Sequence, residues 1–396
     1  MKRILTFVAV IATATMANAQ SIYYQDKTNC DMKRHTLRDD VLRKEFVLPE
    51  VNGYKVLKAD LHSHTIYSDG SVTPEYRVRE AWVDGLDVLA ITEHVEYRPT
   101  EGRMLTYLKG YFSNAMKPVN NSVIGKAADE NGILVDLNVS NDLAISAAAG
   151  YGITIIPGME ITRKPETIGH YNALFVKDAN TIYDADPVAS IKKAREQGAI
   201  IMHNHPGWRR KSLEMTDFEK QVYSEGLIDG VEIMNGSEFY PIVVRRAMEN
   251  KLFMAANTDI HGTTSMDYTN QGHWRNMTFI LAKDASLKSV REALDKKRTL
   301  AYSFGTLAGD EKLVKEFFLA CVKFETFRID KNGKRTMRMV NNTSMDFVIN
   351  FGGNPVQLRA FTSRNVSVAK GNSLNFTVEN LWIPTEQKHP SFELEF

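Results

Sequence analysis

Short apolar runs alternate with amphipathic segments along most of this 396-residue chain. Runs rich in aliphatic and β-branched residues, bounded by glycine or polar turns, are typical of strands. By this criterion the sequence predicts strands at residues 56–62, 88–94, 153–161, 171–176, 199–205, 230–235, 253–258 and 278–282. Helical periodicity and capping residues predict helices at residues 73–84, 141–149, 187–197, 240–250 and 286–296.

The repeated strand–helix order is typical of an α/β fold with a parallel sheet. The candidate ligands described below fall at successive strand ends, and this favours closure of the sheet into a barrel. Residues 99–138 lack a clear period, so we expect an inserted loop with some helix near the mouth of the barrel.

The pattern changes after Leu307, where alternating polarity replaces the helical period. Residues 347–351, 356–361 and 374–378 show this alternation, and turn sequences such as Asn332-Gly333 lie between such runs. We therefore expect an N-terminal arm at 20–54, a barrel at 55–306 and a small antiparallel β-sandwich at 307–396. Alternatively, the apolar segment 313–322 packs back onto the barrel and makes the two domains one cooperative unit.

The N-terminus has the pattern of a secretory signal peptide (residues 1–19). Lys2 and Arg3 precede an apolar stretch that reaches about Met16, and Ala17-Asn-Ala19 matches a cleavage site. We expect cleavage after Ala19 and export to the periplasm or the medium. A membrane anchor or a buried helix is the alternative. No later run of the sequence is long and apolar enough to span a membrane.

Charge and cysteine content limit the partners. Lys and Arg number 49 and Asp and Glu 48, a net charge of +1, which does not support a nucleic-acid groove or attraction to a membrane surface. Cys30 and Cys321 lie at opposite ends of the chain. They could pair in an oxidising compartment, or both could be buried thiols.

Histidines and acids recur wherever the apolar runs end. His62 and His64 are two residues apart, so on a strand both imidazoles point to one face and could bind one ion. Seven of the ten histidines fall at such strand ends. Clustered buried imidazoles without a metal would leave many polar groups unpaired, so the pattern predicts a metal site.

Five blocks, in this order, resemble the PHP (polymerase and histidinol phosphatase) family over roughly residues 56–304. The blocks are His62-Ser-His64 with Asp69, Thr92-Glu-His94, Glu160 with His170, His205-Pro206, and Asp259-Ile-His261. The resemblance implies a distorted seven-stranded β/α barrel, followed in this chain by the β-sandwich. It also implies nine metal ligands: His62, His64, Asp69, His94, Glu160, His170, His205, Asp259 and His261.

Nine N and O donors without a thiolate suit Zn²⁺, Mn²⁺ or Fe²⁺ and are too many for one ion. The resemblance implies two to three divalent ions. It groups the ligands as His62, His64, Glu160 and Asp259; as Glu160, His170 and His205; and as Asp69, His94 and His261.

Three further residues near these blocks are interpreted as non-ligands. Glu93 stands where family members often have aspartate, and it faces away from His94, so we expect it to support the site. His203 is expected to share a face with His205, deeper along the strand, without binding metal. Glu232 either orients ligands or fills the barrel.

Metal ions need a substrate with oxygens to bridge, and phosphate esters meet this need. We expect an exported phosphoesterase that hydrolyses a small phosphate ester, such as a nucleotide or other phosphomonoester, by metal-activated water. The expected catalytic residues are Asp259, His261 and His94, and the expected phosphate-binding residues are Arg275, Arg209 and His273. Trp208 either stacks on a base or sugar or serves packing.

Two other functions remain open at this point. The same ligand cage could hydrolyse an amide or lactone. The protein could also be a non-catalytic metal-binding protein whose β domain binds glycan or a partner protein, because fold resemblance does not select a substrate.

Overall fold

The computed structural model describes residues 43–101, 136–368, 373–385 and 388–396. The residues from Arg43 onward form one compact unit. The predicted signal peptide, most of the predicted arm, Cys30, and residues 102–135 of the predicted loop lie outside the described residues. In the part of the chain that is described, no helix has the length and apolar character needed to cross a membrane.

Strands and helices follow the predicted order through the first domain. The strands are β1 (Lys55–Asp60), β2 (Val88–His94), β3 (Thr154–Thr162), β4 (His170–Leu174), β5 (Ile200–Asn204), β6 (Gly230–Asn235), β7 (Glu238–Phe239), β8 (Phe253–Asn257), β9 (Met277–Ala282), β10 (Thr299–Ser303) and β11 (Thr306–Gly309). The helices are α1 (Pro74–Val83), α2 (Val139–Ala148), α3 (Pro187–Glu196), α4 (Asp217–Ser224), α5 (Pro241–Glu249), α6 (Thr264–Asp267) and α7 (Leu287–Asp295), with 3-10 turns at Ala179–Thr181 and Thr269–Gln271. The predicted elements are all present, whereas α4, β10 and the short β7, α6 and β11 were not predicted.

The main sheet is mixed rather than uniformly parallel. Strands β1, β2 and β3 run parallel, as do β5, β6 and β8, but β4 is antiparallel to both β3 and β5. Strand β9 is antiparallel to β1, and the β10–β11 hairpin continues the sheet beyond β9. The sheet therefore curls into the distorted barrel that the sequence resemblance implies.

Side chains of β9 and β10 close the barrel against β8. The Ala256 amide donates to Thr278 Oγ1 over 3.0 Å, and the Thr278 hydroxyl donates to the Ala256 carbonyl over 3.0 Å. The Met254 amide donates to Thr299 Oγ1 over 3.1 Å. These threonines satisfy backbone groups that a regular ladder would otherwise pair.

Apolar side chains fill the barrel at the amino ends of the parallel strands. Ile156, Met202 and Phe253 are buried there in one cluster. A Cβ at Gly230 would lie 2.1 Å from Cζ of Phe253, so glycine is required where that ring crosses β6. This packing excludes water from one end of the barrel and leaves the other end for polar chemistry.

The C-terminal part consists of antiparallel sheets, as predicted. Its elements are α8 (Glu311–Cys321), β12 (Val322–Ile329), β13 (Arg335–Asn341), β14 (Phe347–Phe351), β15 (Asn354–Leu358), β16 (Ser363–Ser367), β17 (Ser373–Val378), β18 (Leu381–Trp382) and β19 (Ser391–Glu395). One sheet has the order β12-β13-β16 and the other the order β15-β14-β17-β19. Strand β18 leaves these sheets and pairs in parallel with β11 of the barrel sheet.

Helix α8 occupies the segment that the sequence marked only as apolar. Phe317 faces Phe279 of β9, with ring centroids 5.9 Å apart. Phe318, one residue on, contacts Phe347 and Phe392 of the C-terminal sheet at 5.2 and 4.8 Å. The helix thus packs on the barrel and on the C-terminal sheets at once. The domain boundary at residue 306 stays a prediction, because this shared core joins its two sides.

If that shared core is essential, Phe318→Ala should lower the free energy of unfolding by about 3–5 kcal/mol, since a fully buried ring is replaced by a cavity. Leu319→Ala is the matched control, because Leu319 is 43% exposed on the same helix. Urea unfolding of both variants measures the difference. Equal effects would show that α8 does not join two cores.

Candidate metal centre

The carboxyl edge of the sheet collects histidines and acids from six of its strands. His94 and Glu160 end or nearly end β2 and β3, while His62 and Asp259 follow β1 and β8. His170 is the first residue of β4 and yet lies at the same edge. Because β4 is antiparallel, its start pairs with Thr162 and Asn204 at the ends of β3 and β5. The reversed strand therefore positions a ligand that a uniformly parallel sheet could not.

Left-handed backbone conformations redirect two of the candidate ligands. His205 follows the end of β5 with φ 23°, and Asp259 follows β8 with φ 53°. Such φ values are uncommon for residues other than glycine and change the direction of the side chain. Both turns are held by hydrogen bonds: the His205 amide donates to Glu232 Oε2 over 2.7 Å, and the Asp259 amide to the His62 carbonyl over 3.0 Å.

The same turn corrects the prediction for His203. This residue does not share a face with His205. Its ring stacks on Tyr171 at 4.9 Å, and its Nδ1 lies 2.9 Å from the Tyr223 hydroxyl of α4. His203 is a packed histidine on the helix side of β5, and Asn204 is the strand residue that faces the centre.

The donors of the first group lie close together. Nε2 of His62 lies 3.1 Å from Nε2 of His64, and Oδ1 of Asp259 is 3.2 and 3.1 Å from these two atoms. Glu160 Oε1 is 3.4 Å from His62 Nε2. Ligands bound at zinc distances in a tetrahedron are about 3.4 Å apart. The donor set therefore fits a divalent ion.

The second group centres on Asp69. Its Oδ1 lies 3.3 Å from His94 Nε2 and 3.2 Å from His261 Nε2. His64 belongs to this group as well, with Nδ1 4.0 Å from the same oxygen. The resemblance implied three ligands in this group. The geometry adds His64 as a fourth, with Nδ1 facing this group and Nε2 facing the first.

Glu160, His170 and His205 form the third group. Glu160 Oε1 is 3.2 Å from His170 Nδ1 and 3.6 Å from His205 Nε2. His170 Nδ1 is buried and, among the described residues, has no hydrogen bond of acceptable geometry. A buried polar atom without a partner needs an explanation, and a ligand position supplies one. Glu160 links this group to the first, as a bridging carboxylate would.

Opposite charges compensate each other inside the cluster. Burial opposes ionisation of Glu160, yet His94, His170 and His62 hold the pKa of its carboxyl well below the usual value. Burial likewise disfavours a charged His94, but Glu160 and Asp69 raise its pKa to about 10. Because divalent cations compete with protons for the same atoms, ion binding here is coupled to proton release.

His64 is the exception among the imidazoles. Its pKa is lowered to about 3 by complete burial and by the neighbouring His94 and His261. It is therefore a neutral imidazole at ordinary pH, with a lone pair available to a metal.

An outer layer of polar side chains orients the donors. Glu232 Oε1 is 3.0 Å from His62 Nδ1, which directs Nε2 of that ring to the centre, and Asn257 donates to the same oxygen over 2.8 Å. The sequence left the role of Glu232 open, and the structure assigns it to orientation. Second-layer carboxylates of this kind fix the tautomer of a ligating histidine.

Two further outer residues had weaker or no sequence signals. Glu93 accepts hydrogen bonds from the hydroxyls of Thr65 and Ser68, so it holds the loop after β1 as expected of a supporting residue. Asn204 donates to Glu160 Oε1 over 2.8 Å. Neighbouring residues of a strand face opposite sides. An outward His203 on β5 would therefore have predicted that Asn204 faces the centre.

A cavity of about 630 Å³ opens above the three groups. Arg209, Trp208, Lys164 and Tyr97 line it together with exposed atoms of the ligands. The Arg209 guanidinium lies 4.5 Å from the centroid of the Trp208 ring. Tyr97 and Lys164 were not predicted, because nothing in their local sequence separates them from other surface residues.

Arg275 and His273 are not brought to this cavity. Arg275 is buried, with Nη2 2.6 Å from Asp60 Oδ2 and Nη1 3.4 Å from Asp84 Oδ2. His273 is exposed and faces Phe304, with ring centroids 5.0 Å apart. The sequence placed both in a loop after the last ligands, but the chain beyond α6 turns back under the site before β9. The geometry therefore does not support the predicted role of these two residues in phosphate binding, which stays a prediction.

The comparisons with known proteins agree with this geometry. The PHP domain profile matches residues 60–295. A two-domain protein from Bacteroides vulgatus, described as containing a predicted PHP-like metal-dependent phosphoesterase, is 32% identical and has a TM-score of 0.77. The match covers 90% of this chain and 99% of that protein. A comparison with curated protein sequences finds no match.

Two further solved structures match with lower similarity. A lesion-specific endonuclease from Pyrococcus furiosus is 15% identical, with a TM-score of 0.38 and coverage of 65% of this chain and 59% of that one. An amidohydrolase from Chromobacterium violaceum is also 15% identical, with a TM-score of 0.33 and coverage of 52% and 87%.

Because Glu160 links two donor groups, Glu160→Gln should lose at least one equivalent of metal while the protein stays folded. Glu166→Gln, on the exposed loop after β3, is the charge-matched control. Elemental analysis after reconstitution with Zn²⁺ or Mn²⁺, with circular dichroism as a check on folding, measures the change. Equal metal content in the two variants would exclude a bridging role for Glu160.

Proposed function

The chain belongs to the PHP family, and we propose that it is an exported metal-dependent phosphoesterase acting on a small phosphate ester. The observation that supports this most strongly is the convergence of overlapping donor groups, which share residues such as Glu160 and His64, on the floor of one open cavity. The N-terminal signal-peptide pattern supports the export part of the proposal.

Two to three divalent ions fit the donors, with Zn²⁺, Mn²⁺ or Fe²⁺ favoured by the imidazole and carboxylate ligands. Bound there, such ions would lower the pKa of a water molecule and neutralise phosphoryl oxygens. We assign all nine sequence-predicted ligands to this task. The cavity reaches them from one side only, because the apolar cluster fills the far end of the barrel.

We assign the catalytic residues as Asp259, His261 and His94, which line the cavity floor. His261 has the most open side chain of the three, 40% exposed. Its Nδ1 lies 2.7 Å from the Asp259 carbonyl and donates to it, which directs Nε2 toward Asp69. His94 Nδ1 lies 2.5 Å from Glu160 Oε2 and 2.6 Å from Thr162 Oγ1, so its Nε2 is the ring nitrogen directed toward Asp69.

Cations at the rim would bind the phosphate. Among the described residues, Arg209 and Lys164 have no carboxylate partner, and both line the cavity. Arg163 also lines it, but its guanidinium pairs with Glu96 over 3.0 Å. We therefore propose that Arg209 and Lys164 bind the anionic substrate, with Arg209 positioned by its stacking on Trp208.

The direct test is an assay of metal-loaded protein against phosphate mono- and diesters, nucleotides, amides and lactones. His261→Ala should lower kcat on the best phosphate ester by about 10²-fold or more, the scale seen when a major electrostatic stabiliser is lost. His273→Ala, a histidine outside the cavity, should leave kcat unchanged. Hydrolysis restricted to amides or lactones, or full activity after extended dialysis against a chelator, would contradict the proposal.

Substitution of the two arginines that were both predicted to bind phosphate should affect different properties, KM for Arg209 and stability for Arg275. Arg209→Ala should raise KM and leave stability unchanged, because its side chain is exposed at the rim. Arg275→Ala should instead lower the free energy of unfolding by about 3–5 kcal/mol, since it strands the buried carboxylates of Asp60 and Asp84. Kinetics combined with denaturant unfolding measures both. A raised KM for Arg275→Ala at unchanged stability would restore its predicted contact with substrate.

A further inference from the structure

A second cavity lies at the opposite end of the barrel from the metal centre. It has a volume of about 410 Å³ and is lined by the chain before β1, the carboxyl ends of α5 and α7, and the first turns of α8. Its apolar surface comes from Met248, Leu252, Met254, Leu281 and Leu313. A concave site of this size with an apolar floor is typical of small-molecule binding.

The rim of this far-end cavity is basic. It carries Lys251, Lys296, Lys297, Arg298 and Lys312. The two acids of the lining are already engaged: Asp310 caps α8 through the Leu313 amide over 3.0 Å, and Glu316 accepts from Asn52 over 2.7 Å. Among the described residues, Lys251, Lys296 and Lys297 form no ion pair.

Two of these lysines occupy unusual backbone positions. Five helices in the described part of the chain end with the same two backbone hydrogen bonds, the Schellman arrangement, which places the next residue in the left-handed region. After α1, α3 and α4 that residue is glycine: Gly85, Gly198 and Gly226, with φ 87°, 88° and 65°. After α5 and α7 it is Lys251 and Lys297, with φ 56° and 60°.

A left-handed lysine is less stable than a left-handed glycine, because its Cβ crowds the following carbonyl oxygen. Lack of space does not explain the contrast, because a Cβ at Gly198 or Gly226 would meet no atom within 4 Å. At these two helix ends glycine is therefore present for its backbone conformation and not for lack of space. At the two helix ends that border the far-end cavity, a lysine adopts the strained left-handed conformation and places a positive charge beside the cavity. The attraction between a cation and the helix carboxyl end is weak, and it is available at all five helix ends.

We propose that the far-end cavity is a second binding site, distinct from the metal centre, for an amphipathic carboxylate. Lys251 and Lys297 bind the carboxylate, and Leu252, Leu281 and Leu313 contact the apolar body of the ligand. The site needs no metal and uses no residue of the proposed phosphoesterase centre, so it stands whether or not that activity is found.

Isothermal titration of the full protein with 4-butylbenzoate, and with its uncharged amide, tests the site. We expect saturable binding of one benzoate per chain, weakened by salt, and at least tenfold weaker binding of the amide. Hydrogen exchange should slow at residues 247–252 and 294–298 when the benzoate is bound. No saturable binding below 1 mM benzoate (about −4 kcal/mol), or equal binding of the amide, would overturn the proposal.

The variant Lys251→Gly/Lys297→Gly provides the second arm. It should keep or raise the melting temperature, because glycine relieves strain, and should bind the benzoate at least tenfold more weakly. Lys192→Ala/Lys220→Ala removes the same charge from α3 and α4 and should bind like the original protein. Undiminished binding by the glycine variant, or a lowered melting temperature, would show that the lysines serve the helices rather than a ligand.

Discussion

The arrangement of the metal centre depends on one buried, ionised carboxylate. Glu160 has no solvent-accessible surface, and an isolated charge in that position would be prohibitively unstable. It is balanced by His62, His94 and His170, which come from three other strands. The histidines that stabilise this charge must come from several strands and end near the same carboxylate. The electrostatics of the centre therefore constrain the positions of the strand ends and the curvature of the sheet.

A second ring of buried charge keeps those strand ends in place. Asp60, at the end of β1, accepts from the Thr258 hydroxyl and from Arg275, and it thereby ties β1 to the residue before Asp259. Glu232 performs the same task between His62 and the turn at His205. Such pairs contribute little net stability compared with apolar packing, but removal of one partner strongly destabilises the fold because the other charge stays buried. They fix the orientation of the ligand side chains, which a metal centre requires.

The ligands could be predicted because their chemistry is local: apolar runs that end in histidine or acid reveal both the strand and the edge at which it stops. What failed depended on three-dimensional context. The direction of β4 is not encoded in a run such as His170–Leu174. The inward His205 depends on a left-handed backbone conformation, whereas His203 follows the strand alternation and points outward. Arg275 and Arg209 both follow a ligand block in the sequence. Only the path of the chain places Arg275 in a buried ion pair and Arg209 at the rim of the cavity. Helix α8 was seen only as an apolar segment, since its two packing faces come from different parts of the chain.

The central claim is that the donor groups bind metal at the strand ends, and anomalous diffraction from crystals of the metal-loaded protein tests it most directly. The account predicts one peak within about 2.0–2.2 Å of Nε2 of His62 and His64, and a second among Glu160, His170 and His205. Peaks only at other positions, with these side chains bonded to each other or to water, would contradict it.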